Sequence, residues 1–147
     1  MSYFNVRVYG LLIDAERGLL ISDEQSEGKR FSKFPGGGLE LGEGLKDALK
    51  REFVEECATE IEVLEHFYTT DFYEKSSFND SQVLSIYYFV KELHPLNHLS
   101  FTDRPFHFAE NSDQSFRWIP LKDLKVTDVT FKTDQTVVER LLAQMDL

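Results

Sequence analysis

Residues 5–14 (NVRVYGLLID) are rich in β-formers and predict a strand, with residues 15–18 as a turn and residues 19–22 as its partner. Residues 23–33 are polar and are expected to form a loop. Pro35-Gly36-Gly37-Gly38 suits no regular element and predicts a tight, exposed stretch of backbone. Leu45, Leu49, Phe53 and Cys57 then recur every four residues, the stripe of an amphipathic helix over residues 45–57. Residues 61–72 and 82–93 are β-rich and flank a turn at residues 76–80, which predicts a long antiparallel hairpin. Residues 94–113 have no clear period, and a loop of that length in a compact domain is usually functional or mobile. A short strand at residues 116–119 stops at Pro120, and Val137, Val138, Leu141, Leu142 and Met145 mark a closing amphipathic helix. Strands interrupted by one central and one terminal helix predict an α/β fold, a mixed β-sheet with helices on its faces.

Composition narrows this picture. A chain of 147 residues is expected to form a single domain, 1–147, without repeats or a linker. Its 41% apolar and 14% aromatic content suits a globular core and excludes a mainly disordered chain. The net charge of −10 argues against a nucleic-acid partner, because phosphate backbones reward a basic patch. A small phosphorylated ligand is still permitted, since a bound divalent metal reverses the local field. The single Cys57 leaves no intramolecular disulfide. No apolar run reaches the ~20 residues of a membrane span, and Met1-Ser2-Tyr3-Phe4-Asn5 lacks a signal pattern. A cytoplasmic protein with no membrane partner, monomeric or homodimeric, is the expectation.

The candidate chemistry sits on the central helix. Glu52, Glu55 and Glu56, at i, i+3 and i+4, share one helical face. Three carboxylates so close repel one another, and hard oxygen ligands suit Mg²⁺ or Mn²⁺. An isolated pattern of this kind is usually just a solvated face. Here it follows a glycine-rich turn and a lone Glu43, and the spacing of the three points to a metal site.

Residues 37–59 resemble the Nudix box: glycine, five residues, glutamate, seven residues, Arg-Glu, an apolar residue, any residue, Glu-Glu, any residue, glycine, aliphatic. Those places hold Gly37, Glu43, Arg51, Glu52, Phe53, Glu55, Glu56, Ala58 and Thr59, so that only the last two depart. The matched single-identity positions would coincide by chance in about one window in ten million at average residue usage. Ala58 stands where the pattern has glycine, a change expected to cost about 1 kcal/mol or to shift the turn that closes the helix. The resemblance implies the Nudix fold, an α/β/α sandwich with the box as a loop–helix–loop. It also implies metal-dependent hydrolysis of a diphosphate (pyrophosphate) linkage in a nucleoside diphosphate derivative or nucleoside triphosphate. In that chemistry metals acidify water and neutralise charge, and a carboxylate takes the proton.

By the same resemblance, Glu55 and Glu56 are principal metal ligands, and Glu52 is a further ligand or the proton acceptor. Arg51 orients the glutamates through Glu43, and the Gly37 or Gly38 carbonyl is a possible added ligand. A further downstream acid is implied, with Glu110 and Asp113 as candidates. Arg30 and Lys33 are candidates to hold phosphate, although solvent exposure is the plainer reading. Phe34, Tyr68, Tyr73 and Phe78 are candidates to stack on a base, although aromatics in strands more often belong to the core. His66, His94, His98 and His107 lack metal-ligand spacing, and Cys57 reads as a buried, inert thiol. Marks of the NADH, ADP-ribose and diadenosine polyphosphate subfamilies are absent, which leaves a small nucleotide-derived substrate unspecified. A non-catalytic module that binds a nucleotide metabolite is the alternative, and a prenyl diphosphate isomerase a third reading.

Overall fold

A computed structural model describes residues 2–145. The elements run β1 (Tyr3–Asp14), β2 (Gly18–Ser26), β3 (Lys29–Lys33), β4 (Gly36–Gly38), α1 (Leu45–Cys57), β5 (Ile61–Thr69), β6 (Ser81–Glu92), β7 (Gln114–Ile119) and α2 (Lys132–Met145). Two short 3₁₀ turns, Leu121–Asp123 and Val126–Asp128, precede α2. Backbone contacts gather the chain into two compact units that alternate along it. One holds the residues up to Leu12 with Pro35–Leu96; the other holds Ile13–Phe34 and the residues from Asn97 onward.

The first unit contains a mixed sheet, as expected. β1 runs parallel to β6, from Tyr3↔Ser81 to Leu12↔Val90, and antiparallel to β4 through Arg7↔Gly38, Val8↔Gly37 and Tyr9↔Gly36. β5 and β6 form the predicted antiparallel hairpin, with irregular register between Val63 and Tyr68. Strand alternation puts Val8 and Gly10 on one face and Arg7 and Tyr9 on the other.

α1 packs its stripe of Ala48, Leu49, Phe53 and Cys57 against the first face. A Cβ at Gly10 would stand 2.6 Å from Phe53 Cε2, so the bare backbone there is the seat of the Phe53 ring. Full burial of that ring contributes about 1.5–3 kcal/mol. α1 ends in a left-handed (αL) cap: Ala58 N–H donates to the Val54 carbonyl (3.0 Å), and Thr59 N–H reaches the Phe53 carbonyl (3.4 Å). Ala58 takes the left-handed conformation itself, at φ 48° and ψ 37°. The helix exit is therefore kept in register, with the strain carried by a residue that has a Cβ.

In the second unit β2 is flanked by β3 and β7, both antiparallel, and its start pairs with Ile13 and Asp14 at the end of β1. α2 buries Val137, Val138 and Leu141. Residues 94–113 form no helix or strand of their own beyond a bridge between Phe101 and Phe116.

Two expectations are corrected. Residues 23–33 are not a loop: they complete β2 and form β3 around a turn at Glu27 and Gly28, both at positive φ. Their polarity concealed the strands because several of the polar groups are buried and paired. Asp23, fully buried, accepts from Arg117 Nε at 2.7 Å and from Ser32 Oγ at 2.6 Å. The glycine run is not exposed either. Gly36 and Gly37 are buried in β4, where Gly36, at φ 149°, lies too close to the Val8 and Tyr9 backbone to carry a side chain.

Candidate active site

The box residues all fall in the first unit. β4 supplies the glycine backbone, the loop before α1 supplies Glu43, and α1 supplies Arg51, Glu52, Glu55 and Glu56. Arg51 is the hub. Its Nε and Nη2 grip the two Glu43 oxygens at 2.6 and 2.9 Å, a fork-on-carboxylate pair. Nη2 also donates to the Gly38 carbonyl at 3.0 Å, while Nη1 reaches Glu52 Oε1 at 3.0 Å and Glu55 Oε2 at 3.3 Å. Hydrogen bonding to Glu43, then to Glu52, raises the Arg51 pKa well above its ordinary value. The same bond from Arg51 holds the Glu43 carboxyl below its usual range, helped by the Glu40 backbone N–H. Arg51 thus contacts Glu43, Glu52, Glu55 and the Gly38 carbonyl at once.

The three box glutamates differ in setting. Glu52 lies against β4: a Cβ on Gly37 would stand 2.5–2.6 Å from its carboxylate atoms. Glycine at this position leaves the space that the Glu52 carboxylate fills. Glu56 Oε2 accepts the Gly36 N–H at 3.4 Å. Glu55 has the most exposed side chain of the carboxylates around Arg51 except Glu40, and it reaches outward beside a cleft of about 410 Å³ lined by Lys50, Arg51, Val54, Glu55, Glu60 and Ile61. Among the described residues, no three Asp, Glu, His or Cys side chains are arranged as a group that could hold a metal ion, and Glu43, Glu52 and Glu55 are instead engaged by Arg51. The donors are nevertheless all hard carboxylate oxygens on a backbone cleared of side chains, a set whose chemistry fits Mg²⁺ or Mn²⁺.

Of the other predicted residues, Arg30, Lys33, Phe34, Glu110 and Asp113 lie in the second unit. Lys33 is buried, with its ammonium on Glu24 at 3.1 Å and on the Phe34 carbonyl at 3.3 Å. Phe34 is fully buried and has no ring surface to offer a base. Arg30 is exposed, 5.9 Å from both the Phe106 and Phe108 ring centres. Glu110 and Asp113 are both exposed, and Asp113 accepts from Gln25 Nε2 at 2.9 Å. The Gly38 carbonyl, a candidate metal ligand, accepts from Arg51.

Sequence reasoning missed Arg7. It stands on β1 opposite Gly38, and its Nε donates to Tyr9 Oη at 2.6 Å. Tyr9, then Glu52 and Glu56, raise its pKa against the opposing effect of burial. The signal in the sequence was one basic residue between two valines of β1.

A profile of the NUDIX domain family matches residues 4–141. No curated protein matches the chain at a significant level. Among solved structures, the E. coli ORF135 protein superposes with a TM-score of 0.68 at 17% identity, covering 97% of this chain and 91% of that one. A MutT protein from Methanosarcina mazei Go1 gives 0.71 at 14% identity, covering 99% and 98%. An ADP-ribose pyrophosphatase from Streptococcus suis gives 0.59 at 16% identity, covering 93% and 90%. At such identities these likenesses speak for the fold, while the profile spans nearly the whole sequence. The chain belongs to the NUDIX domain family.

Proposed function

We propose that the protein hydrolyses a diphosphate linkage in a nucleoside diphosphate derivative or nucleoside triphosphate, using Mg²⁺ or Mn²⁺. The observation that carries this reading is the Arg51–Glu43 clamp beside a glycine strand, with Glu52 and Glu56 set against that strand. Family membership supports it, as do fold relatives described as MutT and as an ADP-ribose pyrophosphatase. Among the described residues no helix is long and apolar enough to cross a membrane, and Cys57 is a buried thiol outside any disulfide. A cytoplasmic setting fits that thiol.

Glu55 and Glu56 would hold the ion, with Glu55 swinging inward from its exposed position. When bound, the metal supplies charge neutralisation on the diphosphate and a more acidic water. Arg51 keeps the glutamates on one side of the glycine strand, and its bond to Glu52 Oε1 leaves Oε2 of that carboxylate to take a proton from the attacking water. Glu43 holds Arg51 in place by both of its oxygens, so the clamp remains ordered when Glu55 turns away.

The test is release of product from nucleoside triphosphates, nucleotide sugars, ADP-ribose, NADH and dinucleoside polyphosphates, with Mg²⁺ or Mn²⁺ and with chelator. Metal-dependent cleavage of one group establishes the reaction and names the substrate class. Tight binding of a panel member without cleavage would establish instead a non-catalytic binding module.

A further inference from the structure

The open side of the glycine strand carries one feature that the box does not use. Arg7 is half-buried on β1 and pairs with Gly38, on the sheet face opposite Val8 and Gly10. A Cβ on Gly38 would stand 3.7 Å from Arg7 Nη1, so the guanidinium lies along the backbone of β4. β4 has no side chains. A Cβ on Gly37 would meet the Glu52 carboxylate and one on the next residue, Gly38, would lie near Arg7 Nη1, so neighbouring positions of one strand adjoin the two groups, and Glu52 and Glu56 both raise the Arg7 pKa.

The arginine is also pre-set. Its Nε is engaged by Tyr9 Oη at 2.6 Å, with the guanidinium 5.7 Å from the Tyr9 ring centre. Tyr9 is itself buried, its ring 5.5 Å from that of Tyr87. The Nη1 and Nη2 groups make no hydrogen bond to protein among the described residues. A half-buried guanidinium held by one nitrogen, with its outer fork uncommitted, has the geometry that binds phosphoryl oxygens in pairs.

We infer that Arg7 is a ligand of the substrate diphosphate, its Nη groups donating to non-bridging oxygens, and that Tyr9 is the residue that positions it. The inference rests on the diphosphate reading of the site. It places a permanent cation beside the carboxylates that would hold the metal, so the substrate meets positive charge from both sides. Arg7 therefore opposes metal binding and favours diphosphate binding, two effects of opposite sign on one side chain.

The experiment measures binding of imidodiphosphate, a diphosphate that resists hydrolysis, in Mg²⁺ by calorimetry, and of Mn²⁺ alone by electron paramagnetic resonance. Wild type, Arg7→Gln, Arg7→Lys and Tyr9→Phe are compared, with folding checked by circular dichroism. Arg7→Gln is expected to weaken imidodiphosphate by about ten-fold or more while Mn²⁺ binds as well or more tightly. Arg7→Lys, which keeps charge but loses the fork, is expected to fall between wild type and Arg7→Gln. Tyr9→Phe should weaken imidodiphosphate by a smaller factor with Mn²⁺ unchanged. Wild-type imidodiphosphate affinity in folded Arg7→Gln or Arg7→Lys overturns the assignment, as does a parallel loss of both ligands. Failure of the wild type to bind imidodiphosphate in Mg²⁺ overturns the diphosphate reading itself, and the Arg7 assignment with it.

Discussion

Ala58→Gly should stabilise the protein. Ala58 sits at φ 48° and ψ 37° at the end of α1, with the capping bonds to Val54 and Phe53 in place. A left-handed conformation costs a residue with a Cβ about 1–2 kcal/mol. Replacing it by glycine removes that strain but adds about 0.4–1 kcal/mol of backbone freedom to the unfolded chain. Ala58 is exposed, so loss of its methyl opens no cavity. The net gain is then about 0.5–1 kcal/mol, or roughly 1–4 °C in Tm for a domain of this size. Urea unfolding followed by circular dichroism should show a higher midpoint with an unchanged slope. A midpoint at or below that of wild type would show that residue 58 does not hold the helix exit in a left-handed turn. The register that keeps Glu55 and Glu56 at the end of the helix would then need another cause.

Three further outcomes follow from close contacts and charge. Gly37→Ala should fold but displace the Glu52 carboxylate, since its Cβ would fall 2.5–2.6 Å from that group; turnover of the panel substrate should drop by about a hundred-fold, as misplacement by an ångström can cause, and an unchanged kcat would contradict the placement. Gly10→Ala should destabilise by about 1–3 kcal/mol through overlap with the Phe53 ring, with partial recovery in the Gly10→Ala/Phe53→Leu double variant; thermal melts that show no loss would refute the packing. For Glu43, whose carboxyl is held below its ordinary value of 4.5 by Arg51, the stability it contributes is present above that value. It is lost as pH falls through the lowered native value, so the advantage of wild type over Glu43→Gln in urea titrations should shrink only below about pH 4.5. An advantage that stays constant down to the acid transition would contradict the ion pair.

Legibility in the sequence followed periodicity and motif. The four-residue stripe defined α1 to its ends, and β-rich runs announced β1, β5 and β6, because each buries one face and pays for it with a visible pattern. Polar strands were harder. Asp23, Ser32 and Lys33 look like loop residues but are buried, with Asp23, Ser32 and Arg117 joined in one cluster and Lys33 on Glu24. No pattern of apolar positions announces partners so distant along the chain. The glycine run misled for a related reason: absence of side chains signals exposure when read locally, whereas here it permits close approach of β1 and of the Glu52 carboxylate. At the site, Glu43 and Arg51 were legible as a pair from their register, and the structure shows the bidentate contact. Arg7 was not legible, since its meaning depends on Gly38 across the ladder and on Tyr9 two residues on.

The most direct test is hydrolysis of the panel substrate in ¹⁸O-water, followed by ³¹P NMR, for wild type with Mg²⁺, wild type with chelator, and folded Glu56→Gln. Label should enter a phosphate of one product only in wild type with Mg²⁺. Label incorporated at wild-type rate by Glu56→Gln, or in the presence of chelator, would contradict hydrolysis by a metal held on the box glutamates.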